Sequence, residues 1–287
     1  MLKINNLILP VKYTEQDVTE QIIKTLKIGS YDIISVRVLR DSVDAHRRGS
    51  IVRCISAAVS LRGEKRFIGM KNVEKYKPYC YEYPAASRLK LRPVIVGSGP
   101  AGLFCALILA SCGAQPIVLE RGSDVDTRVK KVSSFFKNGI LDPKCNIQFG
   151  EGGAGTFSDG KLNTGTRDPR QKKVLEEFVR HGAPEDILTN AKPHIGTDML
   201  IETVKNIRKE IIALGGEVMF DTLLKDIDIE NGAVSGVFTD NGYIKTDTVI
   251  LAAGHSARDT FKMLYSHNVL MSKKAFSVGV RIEHPQK

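Results

Sequence analysis

Glycines at 97, 99 and 102 in VIVGSGPAGLFCA (residues 94–106), together with Glu120, form a set whose spacing suits the gripping of a dinucleotide by its diphosphate and ribose. In a strand-turn-helix unit Gly97 permits the tight turn, Gly99 lets the backbone approach a pyrophosphate, and Gly102 lets helix and strand pack closely. The helix that follows points free N–H groups and a partial positive charge at the phosphates. Glu120 closes the next apolar run, 18 residues past Gly102, where a carboxylate accepts hydrogen bonds from an adenosine ribose and repels a 2′-phosphate. The nucleotide is therefore expected to carry a free 2′-hydroxyl. A structural glycine turn beside a coincidental acid is the competing reading, and the strand before the glycines and the apolar helix after them argue against it. FAD and NAD both satisfy this geometry.

A second set follows in FGEGGAGTFSDGKLNTG, residues 149–165, with six glycines in seventeen positions and Thr156, Ser158, Lys161 and Thr164 interleaved. The segment is too irregular for a helix or strand. It offers exposed N–H groups and hydroxyls of the kind that contact an anion or a ring system. A surface loop is the alternative.

The elements that must position these sets are legible in part. LKINNLILPV reads as a strand, and Thr14 caps a helix over TEQDVTEQIIKTLKI whose Val18, Ile22, Ile23 and Leu26 share a face. Two β-rich runs follow, joined by a polar basic loop, DSVDAHRRGS. KPYCYEYPAASRLKLRP has neither period and reads as a linker. Beyond it come strand, glycine turn, helix and strand, then amphipathic helices over QKKVLEEFVRHG and TDMLIETVKNIRKEIIALGG. Short strands with Asn-Gly turns at 231–232 and 241–242 predict hairpins. A last helix over ARDTFKMLYSH is predicted to take Ser256 as its cap.

With 287 residues, 42% hydrophobic, the chain has material for a packed core and for more than one domain. No apolar run approaches the roughly 18 residues of a membrane span, and neither a signal peptide nor an anchor is read. Five cysteines, widely spaced and without a CxxC pair, suit a reducing cytoplasm and no metal site. Residues 1–92 hold 18 Lys/Arg against 9 Asp/Glu, so nine of the ten net positive charges lie there. No aromatic stacking array accompanies them, so nucleic acid is not an expected partner.

GSGPAG, the ERG that follows, FGEGGAGTFSDGKL and VILAAGHSARDT (residues 249–260) resemble the uncharacterised FAD-dependent dehydrogenases of the glutathione-reductase-like flavoprotein superfamily. The DAHRRGS loop is similar to a DAR-type motif in their N-terminal domain. The resemblance implies an α/β chain. A Rossmann-like FAD-binding domain with a parallel central sheet and β-meander (91–270) would follow a small basic α+β, ferredoxin-like domain (1–90). Residues 271–287 would begin a substrate domain.

Carried over by motif, Gly97, Ser98, Gly99, Pro100, Ala101 and Gly102 would contact the FAD pyrophosphate, with Glu120 and Arg121 at the AMP half and Leu224 near the adenine. Ala252, Ala253 and Gly254 would close over the nucleotide. Gly155, Thr156, Ser158, Asp159 and Lys161 would run toward the isoalloxazine, and Arg128 would pair with a phosphate unless it is a surface helix residue. Lys161 and His255 are the candidates for a catalytic role. The resemblance also implies hydride transfer through flavin N5, with NAD(P)H as an optional partner and no disulfide chemistry. It implies, too, that a C-terminal Gly-Asp motif is missing and that the chain carries part of a flavin site. The alternatives are an NAD-binding enzyme and a non-catalytic nucleotide-binding protein that docks a polyanion through its basic N-terminal part.

Overall fold

The computed structural model describes residues 1–287 apart from 48, 49, 85–88, 158, 159, 276, 281 and 287 and the side chain of Arg47. The N-terminal part comprises β1 (Leu2–Leu9), α1 (Glu15–Leu26), β2 (Ile33–Arg47), β3 (Ser50–Leu61) and β4 (Val73–Lys75). Its antiparallel sheet has the order β2-β3-β1-β4. In β1 the buried apolar residues fall at 2, 4, 7 and 9, with Ile8 exposed, which breaks strict alternation. Asn6 restores it: its φ of 58° sits at a register shift between Ile4 and Leu7, and the extra residue returns Leu7 and Leu9 to the face that buries Leu2 and Ile4. Against that face α1 packs Val18, Ile22 and Leu26, its start closed by a reciprocal bond between Thr14 and Asp17. A single 3-10 turn (Glu64–Phe67) connects β3 to β4, where a complete ferredoxin-like unit has its second helix. The expected loop DSVDAHRRGS is instead mostly strand. β2 runs to Arg47 because Ser42, Val43 and Asp44 pair in register with Cys54, Arg53 and Val52.

After residues 76–93 the chain forms β5 (Val94–Val96), α2 (Pro100–Ser111), β6 (Ile117–Leu119), α3 (Val125–Asn138), α4 (Arg170–Arg180), α5 (Thr197–Ala213) and β7 (Glu217–Met219). Then come β8 (Leu224–Glu230), β9 (Ala233–Thr239), β10 (Gly242–Lys245), β11 (Val249–Leu251) and α6 (Arg258–Ser266). Four strands make a parallel sheet of order β11-β5-β6-β7, and β8, β9 and β10 make an antiparallel meander. VIV and IVL are buried on both faces, as central parallel strands require. On one face Ile95 and Val118 meet α2, α4 and α5 through Leu103, Phe178 and Ile207. On the other, Val94, Val96, Ile117 and Leu119 meet Leu224, Ile227 and Val237 of the meander. The first Asn-Gly turn closes β8 onto β9 with Asn231 and Gly232 both at positive φ.

Two findings concern helices. α3, which the sequence reading touches only through Arg128 and does not bound, is capped by Asp124 and ended by Gly139 at φ 70°. α6 starts after Ala257 with no side-chain cap, so Ser256 does not serve that role; its carbonyl accepts from Arg258 N at 2.9 Å. The N-terminal part is stitched to the rest by backbone bonds from Asp41 N to Thr189 O and from Ala191 N to Asp41 O, each 2.8 Å. No helix among the described residues is long and apolar enough to cross a membrane.

Candidate functional site

From β5 the chain steps outward to β6 and β7 and later returns to lay β11 on the opposite side of β5. The strand order reverses between β5 and β11, and open α/β sheets take ligands beyond the carboxyl ends of their strands at such a point. A cavity of about 320 Å³ opens there, at the small end of the ~300–1,000 Å³ range of small-molecule sites. Residues 97, 99–101, 119–121, 222–224 and 252–255 contribute to its wall, joined by Gln148 and by Phe149, Gly150, Gly153 and Ala154 of the glycine-rich segment.

The three glycines do separate work. Gly97 has φ 103°, and a Cβ there would stand 2.6 Å from Ala252 O, so the turn after β5 rests directly on the end of β11. At Gly102 a Cβ would lie 1.8 Å from Gly97 O, so only glycine lets α2 start this close to the turn. Gly99 differs. Its φ of −67° suits any residue and a Cβ would meet nothing within 4 Å, so the fold itself makes no demand for glycine there. The space a side chain would enter belongs to the cavity. Gly99 is also the N-cap of α2 and makes no side-chain cap bond, and Pro100 takes the first helical position. The first-turn N–H groups of α2 therefore face a hollow suited to an anion.

Glu120, 4% exposed, stands on the same wall. Its Oε2 accepts from Ser98 N at 2.9 Å and Ser98 Oγ at 2.7 Å, and its Oε1 accepts from Gly122 N at 2.7 Å. A carboxylate offers about four acceptor positions, so one remains, on Oε1. The carboxylate is held by the turn it serves: Ser98, expected against the pyrophosphate, is fully buried off the cavity wall and gives both its donors to Glu120. Arg121 lies over the Phe149 ring at 4.8 Å and pairs with Asp259 at 3.0 Å. Burial pushes the Asp259 carboxyl up, while Arg121 and the Thr260 N–H pull it further down, and the net position is below the usual range. Leu224, Ala252, Ala253 and Gly254 all reach the cavity, with Gly254 at φ 74°. His255 sits at its edge, exposed, with Nδ1 3.4 Å from Ser256 Oγ.

Arg128 corrects both readings of it. It is fully buried, and its Nε donates to Asn146 O at 2.9 Å. Its NH1 donates to Glu151 O at 2.6 Å, Gly153 O at 2.8 Å and Thr156 Oγ1 at 3.0 Å, and its NH2 to Ile147 O at 2.8 Å. The guanidinium lies on the Phe157 ring at 4.6 Å, and Gly150, at φ 120°, has no Cβ because Arg128 Cδ would be 2.5 Å from it. Burial lowers its pKa to about 10, which leaves it charged at neutral pH. The cation spends its donors on the carbonyls of the glycine-rich segment rather than on a phosphate. It sets the shape of a segment expected to be irregular throughout, whose described residues hold one short 3-10 helix, Gly153–Phe157.

Thr156 is likewise turned inward, donating to Gly153 O at 2.9 Å, and neither it nor Gly155 reaches the cavity. Ser158 and Asp159 lie outside the described residues. Lys161 is exposed, away from the cavity, and pairs in an isolated bridge with His194. Gln148 and Thr222–Leu223 are wall residues the sequence did not mark, since they lie in connections where no spacing signals a role. Glu151, fully buried, was missed as well: its Oε2 accepts from Val125 N at 2.8 Å at the start of α3, and burial pushes its carboxyl up. No cluster of three metal-ligating side chains occurs among the described residues.

Residues 1–60 match a domain of unknown function, DUF8436. An uncharacterized protein of Clostridium beijerinckii is 42% identical over 297 residues, covering 100% of this chain and 55% of that protein. The chain thus spans about half the length of this relative. Among solved structures, glycine oxidase from Bacillus cereus superposes with a TM-score of 0.41 at 17% identity, covering 62% of this chain and 58% of that one. THI4 of Thermovibrio ammonificans gives 0.39 at 18% identity, with 62% of each chain covered. L-proline dehydrogenase from P. horikoshii gives 0.34 at 16%, covering 61% and 56%.

Proposed function

We propose that this chain forms the adenosine-diphosphate end of a dinucleotide site in a flavin-dependent oxidoreductase. One observation carries the reading: at Gly99 the fold tolerates any side chain, yet the residue is bare where the uncapped N-terminus of α2 opens into a cavity. The residues fit the group on two further counts. Glu120 keeps an acceptor position beside that helix end, and Leu119 and Leu224 supply apolar wall for a base. The choice of flavin over nicotinamide rests on the resemblance of residues 149–165 and 249–260 to the flavoprotein family.

Bound here, a flavin would supply a ring that takes up or gives hydride at N5. The chain's own residues bind and orient. Residues 97–102 would seat the diphosphate against backbone N–H groups, and the dipole of α2 would offset its charge. Glu120 would accept from a ribose hydroxyl and disfavour a 2′-phosphate, with the buried Ser98 holding its carboxylate in place from behind. Residues 252–254 would close the opposite side. Arg128 acts from behind the site as a positioning residue, holding Gly153 and Ala154 where they meet the turn.

Fluorescence titration of the chain with FAD tests the assignment, with ADP, NAD and adenosine 2′,5′-bisphosphate as competitors. Saturable quenching of the flavin that ADP reverses and the 2′-phosphorylated nucleotide does not is the expected result. Displacement of ADP by NAD, with no response to FAD, would move the site to a nicotinamide enzyme.

A further inference from the structure

We infer that a second cavity, between β2 and the segment following α4, binds a small organic anion with an apolar body. It measures about 760 Å³, well inside the range of small-molecule sites, which favour domain junctions and mostly apolar walls with a few polar groups. Leu162, Leu175, Phe178 and Ile187 form the apolar wall, and Phe178 and Ile187 belong to the core behind it.

The cavity is built by backbone bonds rather than by loose contact. Leu162 N donates to Pro193 O at 3.0 Å, which fixes the end of the glycine-rich segment. The two bonds of Asp41 to Thr189 and Ala191 hold β2, and with it Leu39 and Arg40, across the opening. Asp41 is itself anchored by Tyr13 Oη at 2.8 Å and Arg53 NH2 at 3.1 Å. A hollow framed this way keeps its shape without an occupant, so binding costs little ordering of the protein.

Charge gives the sign of the ligand. No Asp or Glu lines the cavity among the described residues, whereas Arg40 and Lys192 do, both at its edge and neither in an ion pair among the described residues. Amide and hydroxyl residues Gln171, Asn163, Thr164, Thr189 and Asn190 also line it. Two such cations beside an apolar wall suit a carboxylate whose tail lies on Phe178 and whose head reaches the rim. The site draws on none of the wall of the nucleotide cavity, so it stands whether or not that reading does.

Octanoate is a direct probe, with octanol and octylamine as neutral and cationic counterparts, each titrated calorimetrically into the intact chain. One-to-one binding of octanoate, weaker for octanol and absent for octylamine, is expected. Because Arg40 and Lys192 stand at the rim, the R40Q/K192Q double variant should melt with the parent while binding octanoate roughly fivefold or more weakly. Leu162→Asp should weaken octanoate and octanol alike, and Gly99→Ala should leave octanoate binding unchanged. Octanoate binding that is undetectable at millimolar concentration, or equal in parent and double variant, overturns the proposal.

Discussion

Ser98 and Glu120 are locked together: the serine donates both its backbone N–H and its hydroxyl to the same carboxylate oxygen, at 2.9 and 2.7 Å. The glycine turn and the acid that closes the neighbouring strand therefore form one rigid unit. Replacing Glu120 by Gln keeps the shape but puts an amide where three donors converge. Each charge-assisted hydrogen bond is worth about 1.5–3 kcal/mol, so ADP affinity should fall roughly 10- to 100-fold. Ser98→Ala removes only the hydroxyl, frees an acceptor position on Oε2, and should cost less. Calorimetric titration of ADP into the two variants checks the order; equal losses would mean that the carboxylate is not the acceptor.

The Arg128 guanidinium and the carbonyls of residues 146–153 make the second rigid unit. Lysine has three donors in the wrong geometry to replace a planar fork. Arg128→Lys should therefore strip hydrogen-exchange protection from residues 146–157 nearly as fully as Arg128→Met does, while α1 and the N-terminal sheet stay protected. Orphaned carbonyls cost about 1–3 kcal/mol each when buried, so a lowered melting temperature should accompany it. A surface role would leave both measurements unmoved.

Burial first, and then the Asp41 carboxylate, push the Tyr13 phenol up to about 12. A raised pKa in the folded state means that the neutral phenol is favoured there. Its stabilising contribution is complete below pH 10, the ordinary tyrosine value, and is lost as the pH climbs from there through 12. In an absorbance titration one tyrosinate should lag most of the eight tyrosines, and Tyr13→Phe should remove that lag. Because the Asp41 backbone joins the two parts of the molecule, the same pH window should expose the edge of β2 to hydrogen exchange.

The parts of this site that could be read from the chain are those in which position along the sequence determines position in space. Gly97, Gly99, Gly102 and Glu120 belong to one strand-turn-helix-strand unit, so their spacing carries their arrangement. Arg128 was not legible because its partners lie 18 to 28 residues downstream in a segment with no period. The same irregularity made Thr156 look available to a ligand, although its hydroxyl is spent on Gly153 and Arg128. α3 did announce itself through Asp124 and Gly139, but Val125 and Val132 are the only apolar residues it buries, too few to stand out as a face. In β2 the polar run at Asp41–Arg47 looked like loop because sheet pairing here rests on backbone bonds to β3, which composition does not reveal.

The bare backbone at Gly99 is the centre of the account, and two alanines separate function from fold. Gly102→Ala places a methyl 1.8 Å from Gly97 O and should destabilise by about 1–3 kcal/mol, as overpacking does. Gly99→Ala meets nothing within 4 Å, and at an N-cap it should cost under about 1 kcal/mol. The decisive measurement is ADP binding by calorimetry to the Gly99→Ala chain beside the parent, with melting temperatures recorded for both. One-to-one binding by the parent and a loss of about tenfold or more in the variant, with a melting temperature within about 4 °C of the parent's, is the expected result; ADP affinity equal in the two chains would contradict the account.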